Sequence, residues 1–203
     1  MLSGIVFLLV AASCSSSRIL SSWKASNARQ GKFKKIMVMA LVKESDNTLK
    51  SQMEQHLVGD LKDKGFDAIS SYQQYGPRVF DNMDEKDAVE KIRNSGVDAI
   101  ITIVLLNKTS ERFYVPGRIT YTPYTPYYNR WWGYYTTLNR RVYTPGYYVT
   151  DTDYFWESNL YDAVSKELVY SVQTKSFNPA STESLAHEYG QLIVSDMVNK
   201  AVF

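Results

Sequence analysis

Lys34-Lys35-Ile36-Met37-Val38-Met39-Ala40-Leu41-Val42 is a nearly continuous apolar run of strand length, with no polar alternation along it. A run of that kind suits a central strand covered on both faces. A helix is expected next. Asp46 or Asn47 can cap it, Leu49, Met53, Leu57 and Leu61 recur every four residues, and Gly65 follows Lys62 and Lys64 as a helix stop does. Phe66 to Tyr72 reads as a second strand. Asp84 then caps a shorter helix with Ala88, Val89 and Ile92 on its inner face, ended by Gly96, and Val97 to Leu106 forms the best parallel neighbour of the first strand. Strand, helix, strand, helix, strand in units of about 30 residues is the rhythm of α/β layering.

Further along, Asp153 to Leu160 and Leu168 to Phe177 read as paired strands, joined by a loop at 161–167 rich in turn formers. Ser181 or Thr182 caps a closing helix whose apolar face is Leu185, Tyr189, Leu192, Ile193, Met197 and Ala201. The expected architecture is α/β: a mixed sheet of about five strands in two or three layers, with three main helices. Ile36, Val38, Ile101 and Ile103 should lie buried on adjacent strands, under Leu57 and Leu61.

With 203 residues, 44% of them apolar, the chain can bury a proper core. The net charge of +2 and the lack of a Lys/Arg stripe argue against nucleic acid as a partner. One Cys rules out a disulfide within the chain. Composition is unusual in its 16 Tyr and 4 Trp against only two His.

The amino terminus carries a separate signal. An apolar run from Ile5 to Val10 leads to Ala11, Ala12 and Ser13, directly before Cys14. The run is far shorter than the roughly 20 residues that span a bilayer, so a cleaved secretion signal fits better than a transmembrane helix. In Ala12, Ser13 and Cys14 it resembles the bacterial lipoprotein signal, in which small residues precede a cysteine that receives diacylglycerol. That resemblance implies a signal peptide at 1–13, a lipidated Cys14 and a mature chain anchored to a membrane, on the periplasmic or cell-surface side, without spanning it. Residues 14–32 are rich in Ser, Lys, Arg, Asn and Gln and read as a tether. As a flexible coil of about 18 residues, Ser15 to Lys32 would span roughly 23 Å. Trp23 should pack onto the body, which is taken as one α/β domain at 33–203 with an aromatic insertion at 114–150.

The body resembles small envelope lipoproteins with an α/β domain like the amino-terminal domain of TolB or the periplasmic domain of the curli secretion lipoprotein CsgG. The residues that carry the likeness are Lys34 to Val42, Asp60 to Phe66, Ser95 to Ile101 and Leu160 to Tyr170. They imply a fold and say little about activity.

Catalytic signatures are missing. No phosphate-cradling Gly loop, zinc-type Cys pattern or Gly-x-Ser-x-Gly elbow occurs. His187-Glu188 begins like a zinc-protease helix, but Gln191 stands where the second imidazole must be. His187 and His56 are read as ordinary helix residues. No cofactor, no metal and no enzymatic activity are expected.

The aromatic insertion is the remaining feature. Between 114 and 148 stand ten Tyr, the pair Trp131-Trp132 and four Arg, with no acidic residue. Pro123, Pro126 and Pro145 break helix and central strand alike, so a long loop or irregular hairpin is expected. Tyr and Trp offer flat apolar faces with polar tips, and Arg stacks on them. Tyr124, Tyr127, Tyr128, Arg130, Trp131, Trp132, Tyr134 and Tyr135 are the candidate contact residues, with packing of the rings on one another as the alternative. The reading is a non-enzymatic binding or assembly lipoprotein of a cell envelope. Its partners are the membrane through the anchor, and another envelope protein or a glycan through the aromatic segment. The alternative is an envelope-glycan hydrolase using the segment as a sugar platform.

Overall fold

The computed structural model describes residues 16–28, 32–42, 46–80, 83–116, 118–120, 142–144 and 147–202. In chain order the elements are β1 (Ser17–Lys24), β2 (Lys35–Leu41), α1 (Asn47–Asp63), β3 (Asp67–Ser70), α2 (Ser71–Tyr75), α3 (Glu85–Asn94), β4 (Ala99–Val115), β5 (Arg118–Thr120), β6 (Val142–Thr144), β7 (Tyr147–Asp162), β8 (Leu168–Phe177) and α4 (Thr182–Asn199). They fall into two compact units, one of residues 1–109 with 153–203 and one of residues 110–152.

The first unit is built on a six-stranded mixed sheet in the order β1-β8-β7-β4-β2-β3. β2 runs parallel to β3 and to β4, with Ile36 beside Ala99 and Val38 beside Ile101. β8 runs antiparallel to both β7 and β1. The α/β reading and the antiparallel later half thus hold, and the strand beyond the expected five is β1.

One face of the sheet is fully covered. Ile36, Val38, Ile101 and Ile103, together with Trp156, Leu160 and Val172, are buried in one cluster with Leu49, Met53, Leu57 and Leu61 of α1 and Leu185, Tyr189, Ile193 and Met197 of α4. Each such side chain contributes about 1.5–3 kcal/mol through apolar area removed from water. The helices start where local chemistry demands. Asp46 accepts from the Leu49 N–H at 3.1 Å, Asp84 from Asp87 at 2.8 Å and Ser181 from Ser184 at 3.0 Å. Gly65 closes α1 at φ +89°, a left-handed conformation that glycine adopts without strain.

Two expectations fail in this unit. Phe66 to Tyr72 is strand only over Asp67–Ser70; Ser70 then accepts from the Gln73 N–H at 3.0 Å and starts α2. The presumed tether is the second. Ser17–Lys24 is an edge strand paired to β8, with Ser17 opposite Ser176 and Trp23 opposite Ser171. An edge strand with one face open to solvent is free to carry polar residues, so its composition imitates a linker. Ile19 packs against the core, and Trp23 is half covered by the body.

The second unit contains the outer parts of β4 and β7 and a two-stranded sheet of β5 and β6, paired antiparallel with Arg118 opposite Thr144 and Thr120 opposite Val142. The flanks of the aromatic insertion are therefore hairpin strands.

Candidate functional site

Within residues 110–152, strand alternation decides which side chains share a side. The Ser110 and Thr152 hydroxyls lie 3.1 Å apart, and the Tyr114 and Tyr148 rings meet at 5.2 Å between centroids, tilted by 55°. Residues 110, 112 and 114 thus share a side with 148, 150 and 152. The Arg112 guanidinium sits 4.1 Å above the centre of the Tyr148 ring, close enough for a cation–π contact. Phe113 and Tyr147 project to the other side by the same alternation.

None of these rings is covered. Phe113 is 47% exposed, Tyr114 54%, Tyr147 56% and Tyr148 61%. A two-stranded ribbon is marginal on its own in water, and here both sides carry solvent-facing aromatic area. Tyr–Arg stacking lowers the conformational entropy that a partner must otherwise remove on binding.

Of the residues singled out from sequence, Cys14, Tyr124, Tyr127, Tyr128, Arg130, Trp131, Trp132, Tyr134 and Tyr135 lie outside the described residues, as does the proposed signal at 1–13. Tyr114, Tyr147 and Tyr148 are described and are exposed. Sequence reasoning missed Arg112 and Phe113, which precede the Tyr-rich stretch; the alternation carried on from Ser110 was the available signal.

The first unit holds three polar clusters. Glu54, fully buried on α1, accepts from the Ala40 and Tyr72 N–H groups and from the Ser70 and Ser71 hydroxyls. Asp162 forms an ion pair with Lys32 and accepts at 2.8 Å from the Val164 and Ser165 N–H groups. Burial opposes its charge, but Lys32 and the two backbone donors outweigh that and hold its carboxyl below the usual range. It lines a cleft of about 460 Å³ with Trp23, Asn27, Phe33 and Glu167.

The third cluster joins residues that sequence reading treated separately. The His56 and His187 rings meet edge to face at 5.6 Å between α1 and α4. Gly190 permits that close packing, because a Cβ there would collide with Asp60 Oδ2 and come within 3.4 Å of the His56 backbone. Burial pushes the Asp60 carboxyl up, against the opposing pull of His187 and His56, and its Oδ2 has no hydrogen-bond partner. Since the folded value lies above the unfolded one, the contribution of Asp60 to stability is fully present below pH 3.8 and is lost as pH rises through the folded value. Asp60→Asn is therefore expected to raise the urea midpoint at pH 7, with the gain disappearing at pH values below 3.8; a lower midpoint at pH 7 would refute this. Among the described residues no group of three or more His, Cys, Asp or Glu is placed to hold a metal ion.

No family model and no curated protein matches the chain. The similarities found are to solved structures. The PelC dodecamer from Paraburkholderia phytofirmans is 11% identical, with 86% of this chain and 95% of that one covered at a TM-score of 0.47. The lipoprotein GNA1162 from Neisseria meningitidis is 14% identical, with 82% and 99% covered at a TM-score of 0.42. Among the described residues no helix is long and apolar enough to cross a membrane.

Proposed function

We propose that the protein is a membrane-anchored envelope lipoprotein that works as a binding or assembly module, without catalysis, attached through Cys14 and making contact through its aromatic ribbon. The observation that supports the contact surface is the exposure of Phe113, Tyr114, Tyr147 and Tyr148 with Arg112 stacked among them. Planar rings beside a guanidinium suit a partner with flat polar faces, such as a glycan or an envelope protein.

Replacing Arg112, Tyr114 and Tyr148 together by Ser is expected to remove most of the partner captured by crosslinking in intact cells. Folding stability should change by less than about 1 kcal/mol per position, the range for exposed sites. Unchanged crosslinking with a stable triple variant would exclude the ribbon as the contact surface. The anchor has its own test: Cys14→Ser should abolish acylation and shift the protein from the membrane to the soluble fraction. Native protein without acyl chains would remove this part of the reading.

A further inference from the structure

Ser16 is held in place by three hydrogen bonds to two partners. Its N–H and its hydroxyl both donate to Glu188 Oε2 of α4 at 2.8 Å, and its carbonyl accepts from the Phe177 N–H at the end of β8, again at 2.8 Å. Only one residue separates Ser16 from Cys14. A fully extended chain covers at most about 3.6 Å per residue, so the Cys14 and Ser16 Cα atoms lie within about 7 Å of one another on any path. An anchor at Cys14 would thus have a reach of no more than about 7 Å from the fixed Ser16.

We infer that the end of the sheet carrying Ser16, Arg18 and Phe177, past which β7 continues beyond Asp153, the strand partner of Phe177, is turned toward the lipid headgroups, so that the sheet unit is held at the membrane in one orientation. This rests on the reading of Cys14 as the lipid attachment site. The chemistry of that end suits the place. Phe177 is half exposed, and Arg18 stands exposed beside its strand partner Lys175. An aromatic ring beside cations fits the boundary between acyl chains and anionic headgroups. Of the carboxylates nearby, Glu188 is engaged by Ser16 and Ser184, Asp153 pairs with Lys175, and Glu183 lies exposed at the start of α4. The β7–β8 turn lies at the far end: β8 has ten residues, which at about 3.3 Å each places Val164 roughly 30 Å from Phe177. That turn, with the cleft beside Asp162, then faces away from the bilayer.

The test uses acylated protein purified from membranes and placed in vesicles of phosphatidylethanolamine and phosphatidylglycerol, with a nitroxide on a fraction of the headgroups. A fluorophore is attached to Phe177→Cys or to Val164→Cys; the Cys14 sulfur, as a thioether, takes no label. Quenching is expected to be several-fold greater at 177 than at 164. Inserting a Gly/Ser spacer of about 12 residues after Cys14 should bring the two sites to similar quenching, because the spacer restores a flexible reach. Equal quenching at both sites in protein whose mass shows the acyl chains overturns the orientation and leaves the anchor standing. Quenching that favours 177 even with the spacer overturns the short attachment as its cause. Native protein without acyl mass overturns both readings.

Discussion

Glu54→Ala is expected to lower the folding free energy by at least about 3 kcal/mol, seen as a fall in the urea midpoint at unchanged slope. Its two oxygens take four donors: Ala40 N–H at 2.8 Å and Ser71 Oγ at 3.0 Å on Oε1, Ser70 Oγ at 2.6 Å and Tyr72 N–H at 2.7 Å on Oε2. Those donors belong to β2, the end of β3 and the start of α2, so one side chain of α1 joins three other elements. Truncation leaves all four donors without their acceptor, in a place where the Glu54 side chain is fully buried. The hydroxyls can rotate to other acceptors. The two N–H groups cannot, and buried unpaired donors each cost about 1–3 kcal/mol. Glu54→Gln keeps the volume but turns an NH₂ group toward two of the donors, so its loss should fall between the native protein and the Ala variant. A change under about 1 kcal/mol for Glu54→Ala would show that other acceptors replace the carboxylate.

Trp156→Ala should cost about 3–5 kcal/mol, the range for removing a large aromatic side chain from a core. Trp156 is fully buried on β7, stacked on Tyr154 at 6.0 Å with planes 7° apart and tilted against Tyr189 of α4 at 5.7 Å. Its strand partner on β8 is Thr174, and both the indole Nε1 and the Thr174 hydroxyl are buried without a hydrogen-bond partner. That pairing separates two contributions. Trp156→Phe gives up some volume but also removes a buried unpaired donor, so it should cost much less than the Ala variant. If Phe and Ala prove equally damaging, the indole N–H is satisfied in solution and the cost is not one of volume alone. Urea unfolding followed by the fluorescence of the other Trp residues reads both variants.

The features legible before any fold was known are those written in local patterns. The runs around Ile36 and Ile101 gave two buried parallel strands, and the four-residue spacing from Leu49 to Leu61 placed α1 over them. Caps at Asp46, Asp84 and Ser181 each act through atoms three residues away, so they too could be read directly. The candidate contact residues of the aromatic segment lie outside the described residues, and of its flanking tyrosines Tyr114, Tyr147 and Tyr148 are exposed.

The rest depends on partners far apart in the chain. Ser17–Lys24 is a strand only because β8, some 150 residues away, offers it an unpaired edge, and nothing in its polar composition distinguishes an edge strand from a linker. The hydrogen bonds from Ser16 to Glu188 cross 172 residues, and they fix to the folded body a position that composition alone reads as part of a flexible leash. His56, Asp60 and His187 look ordinary on separate helices; Gly190, by lacking a side chain, lets those helices approach closely and makes them neighbours. Periodicity and capping report on contacts one or two turns away, whereas edge pairing and helix contact depend on where distant backbone arrives, which no local pattern encodes.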